Sequence, residues 1–159
     1  MQRLISNTRR NHAIEHATVA VLLERFGLGL RVSGRATPSG FYLYGDVPTD
    51  AVRSAAEEAL RRLRDGQAGL AVSPLCGTNL VVAALLATVA GFISLGPKRE
   101  LARLPQTAMA VLGAMLLAQP LGRAAQRHIT TAAAVDGASI VGVTRRGHGS
   151  KTAHRIEVG

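Results

Sequence analysis

The chain has 159 residues, 47% of them apolar and only 3% aromatic, enough for one domain with a small appendage. Its formal net charge of +9 comes almost entirely from arginine, so an anionic membrane surface, an acidic substrate or nucleic acid would be favoured by charge. There is no lysine-rich tail and no basic run interleaved with aromatics, which counts against nucleic acid, and the single cysteine, Cys76, excludes an intramolecular disulfide framework.

Residues 1–10 are polar and basic and read as an arm or helix lead-in; no signal peptide is expected from them. A first helix is predicted from about Arg10 to Phe26, capped by Ser6, Asn7 or Thr8, with Ile14, Ala17, Val21 and Leu22 or Leu23 as its apolar stripe and Gly27 and Gly29 ending it. Two strands follow, Leu30–Arg35 and Phe41–Gly45, around the turn-forming ATPSG. A second helix opens at Pro48-Thr49-Asp50 and buries Val52, Ala55, Ala56, Ala59, Leu60 and Leu63. Its Glu57, Glu58, Arg61, Arg62 and Arg64 form a solvated face. Leu70–Ser73 reads as a short third strand, ahead of Pro74-Leu75-Cys76-Gly77-Thr78.

The composition then changes. Leu80–Gly96 carries no charge and Leu104–Leu121 is similar, with Gln106, Thr107, Gln119 and Pro120 diluting its ends. A spanning helix needs about 20 mostly apolar residues. The two segments therefore read as a transmembrane hairpin rather than as two buried helices of a soluble dimer core, although no tryptophan marks either end. Such a hairpin leaves both flanking segments on one side of the membrane. Lys98, Arg99 and Arg103 lie in its loop, and Arg61, Arg62, Arg64, Arg123 and Arg127 lie near its open end. That balance predicts a bacterial cytoplasmic (inner) membrane protein whose soluble domain faces the cytoplasm, where Cys76 stays reduced. A β-hairpin, Ala138–Thr144 and Thr152–Val158, closes the chain around the basic turn RRGHGSK. His128, His148 and His154 read as ordinary exposed or hydrogen-bonded histidines.

The chemistry concentrates in NHAIEH, Asn11–His16. His12 and His16 are four residues apart, so both imidazoles project from one helical face, and Glu15 precedes the second. This is an H-x-x-E-H pattern, in which two neutral histidines hold a divalent metal and the carboxylate takes a proton from a metal-activated water. The competing reading is a histidine pair satisfied by ordinary hydrogen bonds.

The order of these pieces, with TPSGFYLYGD after the helix and CGTN after the third strand, resembles S-ribosylhomocysteine lyase, the autoinducer-forming metalloenzyme. That family has an H-T-x-E-H helix, a C-R-T-G-F-Y turn and strand, a Pro-initiated helix and a later C-G-T, and the match runs over about Asn11–Thr78. The resemblance implies His12, His16 and Cys76 as ligands of Zn2+ or Fe2+, Glu15 as catalytic glutamate, and a homodimer. Glu57 or Glu58 as a metal ligand, after peptidases with the inverted motif, is the competing assignment. Aligning Gly40-Phe41-Tyr42 places Thr37 where the family has its second acid/base cysteine, and a hydroxyl is far less acidic than a thiol. The family's N-terminal strands have no counterpart ahead of NHAIEH, and the C-terminal hairpin would replace them in a circularly permuted sheet. The two apolar spans also look like a bacterial membrane family of unknown function.

The expected fold class is therefore α+β, a small antiparallel sheet with two packed helices plus a transmembrane hairpin. Residues 1–78 would form the metal-binding domain, 79–124 the hairpin, and 125–159 the strands completing the sheet. The expected function is a membrane-anchored metalloenzyme, a hydrolase first and a lyase or isomerase next, with a non-catalytic metal-stabilised scaffold or assembly subunit as the alternative. The expected partners are membrane lipid and a small polar or peptide substrate, which Arg35 and Tyr42 near the turn could touch.

Overall fold

The computed structural model describes residues 1–96, 101–147, 149 and 152–159. Lys98, Arg99 and His148, named above, lie outside the described residues. The chain divides into two compact units, 1–73 with 127–159, and 74–126.

The first unit is an α+β layer pair. Helix α1 spans Gln2–Phe26 and α2 spans Thr49–Arg64; strands β1 (Ser33–Thr37), β2 (Gly40–Tyr44), β3 (Ile140–Arg146) and β4 (Ala153–Val158) form one antiparallel sheet in the order β1-β2-β4-β3. The C-terminal hairpin thus joins the first hairpin, Phe41 opposite Ile156 and Leu43 opposite His154. Alternation along β2 and β4 turns Phe41, Leu43, His154, Ile156 and Val158 to the buried face. Against it lie Ile14, Ala17, Val21 and Leu22 of α1 and Val52, Ala55, Ala56 and Ala59 of α2, all fully buried. The helices also meet through Arg25 and Glu58, and through Arg62, which pairs with Glu24 and Glu58.

Three local expectations are corrected. Helix α1 begins at Gln2, not near Arg10, and no side chain caps it. Thr8, an expected cap, instead donates its hydroxyl to the Leu4 carbonyl one turn back, so the helix runs through it. The strands flank a tight Pro38-Ser39 turn with Thr37 opposite Gly40, which shifts β1 towards the C-terminus of the expected Leu30–Arg35. Residues 70–73 do not form a strand. Ala68–Ala71 is a single 3-10 turn whose amides bond locally, Leu70 to Gln67 and Val72 to Gly69.

The second unit pairs α3 (Gly77–Leu95) with α4 (Leu104–Ala125). Both helices are long and apolar enough to cross a membrane, and only 6% of the α3 window and 11% of the α4 window are buried. Leu80, Leu85, Phe92 and Ile93 on α3 and Met109, Met115, Leu116 and Leu117 on α4 are exposed. In a water-soluble core such side chains would face inward, whereas a bilayer solvates them directly. One polar clasp interrupts this surface. Gln126, fully buried, donates to Asn79 Oδ1 at 2.9 Å, and Asn79 Nδ2 donates to the Pro74 carbonyl at 2.9 Å. Gly122 permits it, because a Cβ there would overlap the Asn79 amide.

Candidate metal centre

Helix α1 presents His12 and His16 one turn apart, with ring centroids 4.3 Å apart and the planes tilted by 60°. His16 is 5% exposed. Its Nδ1 lies 2.8 Å from the carbonyl oxygen of Ala71, and Nδ1 of His12 lies 3.0 Å from that of Thr130. A carbonyl only accepts, so each Nδ1 carries the hydrogen in a neutral ring. The remaining lone pair is then on Nε2, the arrangement a histidine adopts as a metal ligand. The 3-10 turn that replaces the expected strand supplies one of these carbonyls. The other comes from the turn at Gln126–Thr130.

Cys76 follows Ala71 by five residues and caps α3. Its sulfur accepts from the Thr78 amide at 3.4 Å, and its thiol donates to the Thr78 hydroxyl at 3.4 Å. The amide bond places the sulfur at the positive end of a helix. His12 and His16 lie in the first unit and Cys76 opens the second. As a donor set, two imidazoles plus a thiolate suit a borderline-soft ion and leave one tetrahedral position over.

Glu15 is 6% exposed, with Oε2 3.9 Å from His12 Nε2. Its carboxylate packs on the backbone of β1 at Gly34, where any Cβ would occupy the carboxylate's space. A strand with a side chain at this position could not approach α1 so closely.

The other sequence candidates make contacts of their own. Thr37 donates its hydroxyl to the Gly40 carbonyl at 3.1 Å, closing the β1–β2 turn, and its carbonyl accepts from Asn11 at 2.9 Å. Glu58 is engaged by Arg25 and Arg62, and the Arg25 hydrogen bond is the main reason its carboxyl is held below the usual range. Among the described residues, Glu57, Glu58, His128 and His154 belong to no cluster that could hold a metal ion. Arg35 stands opposite Tyr42 on the outer face of the sheet, and Arg155 donates to the Tyr42 hydroxyl at 2.8 Å. His154, read as an ordinary histidine, is fully buried with Nε2 3.3 Å from the Thr49 hydroxyl. The alternation of His154, Ile156 and Val158 along β4 is the sequence signal that places it inside.

The family described as a domain of unknown function, DUF6391, matches residues 7–143. The chain belongs to the DUF6391 family. An uncharacterized protein of Picosynechococcus sp. (strain PCC 7002) is 41% identical to this DUF6391 chain over 134 residues, 78% of the chain and 65% of the relative. The chain therefore spans less than two thirds of that relative's length. No solved structure matches the DUF6391 chain. Both histidines and Glu15, together with Cys76, fall inside the region the family covers.

Proposed function

We propose that this DUF6391 chain is a membrane-anchored hydrolase that depends on a divalent metal, Zn2+ or Fe2+. The reading rests on one observation above all. Two backbone carbonyls take the Nδ1 hydrogens of His12 and His16, leaving both Nε2 atoms as ligands, with Cys76 as the third ligand that the resemblance implies. Three protein ligands with a fourth position left over suit catalysis better than a closed structural site. An ion held there supplies a Lewis acid that makes water nucleophilic near neutral pH. Glu15, buried beside His12, would be the residue that moves a proton between water and leaving group.

The resemblance to S-ribosylhomocysteine lyase supports the same ligands, and the pairing of β4 with β2 is what a permuted version of that sheet requires. Thr37 stands where that family has a thiol, and its hydroxyl closes a turn, so hydrolysis is preferred to the lyase or isomerase reaction. A homodimer rests on that resemblance alone. The apolar helices α3 and α4 would anchor the chain in the bacterial cytoplasmic membrane, with Cys76, just ahead of α3, on the reducing side that keeps it a thiol.

Metal analysis of the purified chain tests the reading. About one equivalent of metal is expected in the wild type, with loss in both His16→Ala and Cys76→Ala. Metal retained in Cys76→Ala would remove the site. Full occupancy without turnover in any hydrolytic assay would leave the non-catalytic scaffold.

A further inference from the structure

A groove of about 420 Å³ opens onto His12. Leu4, Ile5 and Thr8 line it from α1, together with Arg9, His12 and Thr130. Leu4 is 57% exposed and Ile5 56%, one turn or more from the buried stripe of their own helix, so the core does not explain them. Arg9 and Thr130 give the groove a polar part. Arg9 Nε and the Thr130 hydroxyl are buried without a hydrogen-bond partner, although the guanidinium also donates to the carbonyls of His128 and Thr131. A buried polar group without a partner costs about 1–3 kcal/mol, and a ligand oxygen could satisfy it.

On this pattern, and resting on the metal-site reading above, we propose that the substrate of the centre is an amphiphile. An acyl chain lies along Leu4 and Ile5. An oxygen-rich, anionic or ester head group sits against Arg9 and Thr130, beside His12. The positive charge of Arg9 and of the chain as a whole suits such a head group. The apolar wall of Leu4 and Ile5 favours a lipid-like substrate over a small polar or peptide one.

The test uses the full chain in nanodiscs, loaded with Co2+, and a series of carboxylates: acetate, butyrate, hexanoate and octanoate. Perturbation of the cobalt absorption reports the head group, and methyl NMR shifts of Leu4 and Ile5 report the tail. Affinity is expected to rise with chain length, by about fourfold for each methylene buried. Leu4→Asp and Ile5→Asp, both at exposed positions, should flatten the series while leaving metal content and acetate binding unchanged. A flat series in the wild type, or an unaltered slope in both variants, would overturn the inference. The methyl titration is repeated without cobalt. Saturable octanoate shifts in a chain that takes up no metal would keep the groove and discard the metal centre. Metal uptake without any tail effect would do the reverse.

Discussion

Nδ1 of His16 lies 2.8 Å from the main-chain oxygen of Ala71, fifty-five residues later in the chain. The bond fixes the tautomer of a buried ring and does so through a backbone atom, so no side-chain substitution at position 71 removes it directly. His12 is held in the same way by Thr130. Two rings on one helix are thereby turned by two separate segments, and the chain segment that orients His16 runs on within five residues to Cys76.

The tautomers are directly measurable. In the metal-free chain, long-range 1H–15N correlation at pH 7.5 should show protonated Nδ1 and pyridine-like Nε2 for both His12 and His16. Addition of Zn2+ should shift both Nε2 resonances and leave the Nδ1 protons in place. Protonated Nε2 on either ring would remove that histidine from the ligand set.

Glu15→Gln separates proton transfer from metal binding. The amide keeps the size of the side chain, so metal stoichiometry should match the wild type. Hydrolysis of p-nitrophenyl octanoate by the zinc-loaded chain should fall by about 10²–10⁴-fold, the range for losing a general base. Wild-type turnover in the variant would take Glu15 out of the chemistry.

Much of the fold could be read in advance where side-chain pattern alone decides the structure. The six α2 positions picked by helical spacing, Val52 to Leu63, are all buried. The two apolar segments are both helices. What could not be read depends on main-chain partners. Leu70–Ser73 has the composition of a strand, yet its amides close a local turn, and nothing in the side chains announces that choice. The same applies to the site. The histidine spacing and Glu15 are visible in NHAIEH, whereas the carbonyls of Ala71 and Thr130 that set the rings carry no sequence signature. Gly34 is intermediate. A glycine within a strand hints at a close approach, but only the fold identifies Glu15 as what approaches it.

Gly34→Ala should therefore act on Glu15. The added methyl falls on the carboxylate, which must move away from β1. Overpacking of this kind costs about 1–3 kcal/mol. A lower unfolding midpoint is expected, with metal retained and hydrolysis reduced as Glu15 leaves its position. Gly29→Ala is the control, since a Cβ there meets nothing within 4 Å. Equal effects of the two substitutions would mean that the glycine at 34 serves only backbone freedom.

Gln126→Leu tests the clasp between α3 and α4. It removes the donor to Asn79 Oδ1. Hydrogen bonds between membrane helices are worth about 0.6–2 kcal/mol. Thermal unfolding in nanodiscs should register a loss of that size, and an unchanged midpoint would make the clasp dispensable.

His154 gives the first unit a pH dependence of predictable sign. Burial is the main reason its folded pKa lies below the ordinary value near 6.5; Arg145 acts in the same direction and Asp46 opposes it. The unfolded chain therefore binds a proton more readily than the folded one. Stability from the neutral ring is fully present above about pH 6.5. It declines as pH falls from there towards the lower folded pKa, and flattens once both states are protonated. Hydrogen exchange of the β4 amides should accordingly quicken, after correction for intrinsic rates, between pH 7.5 and 5.5. His154→Leu keeps an apolar group of similar reach between β2 and β3, the two strands that flank β4, and cannot titrate. Its β4 protection should be constant over the same interval. A wild-type slope that persists in His154→Leu would show that His154 is not its source.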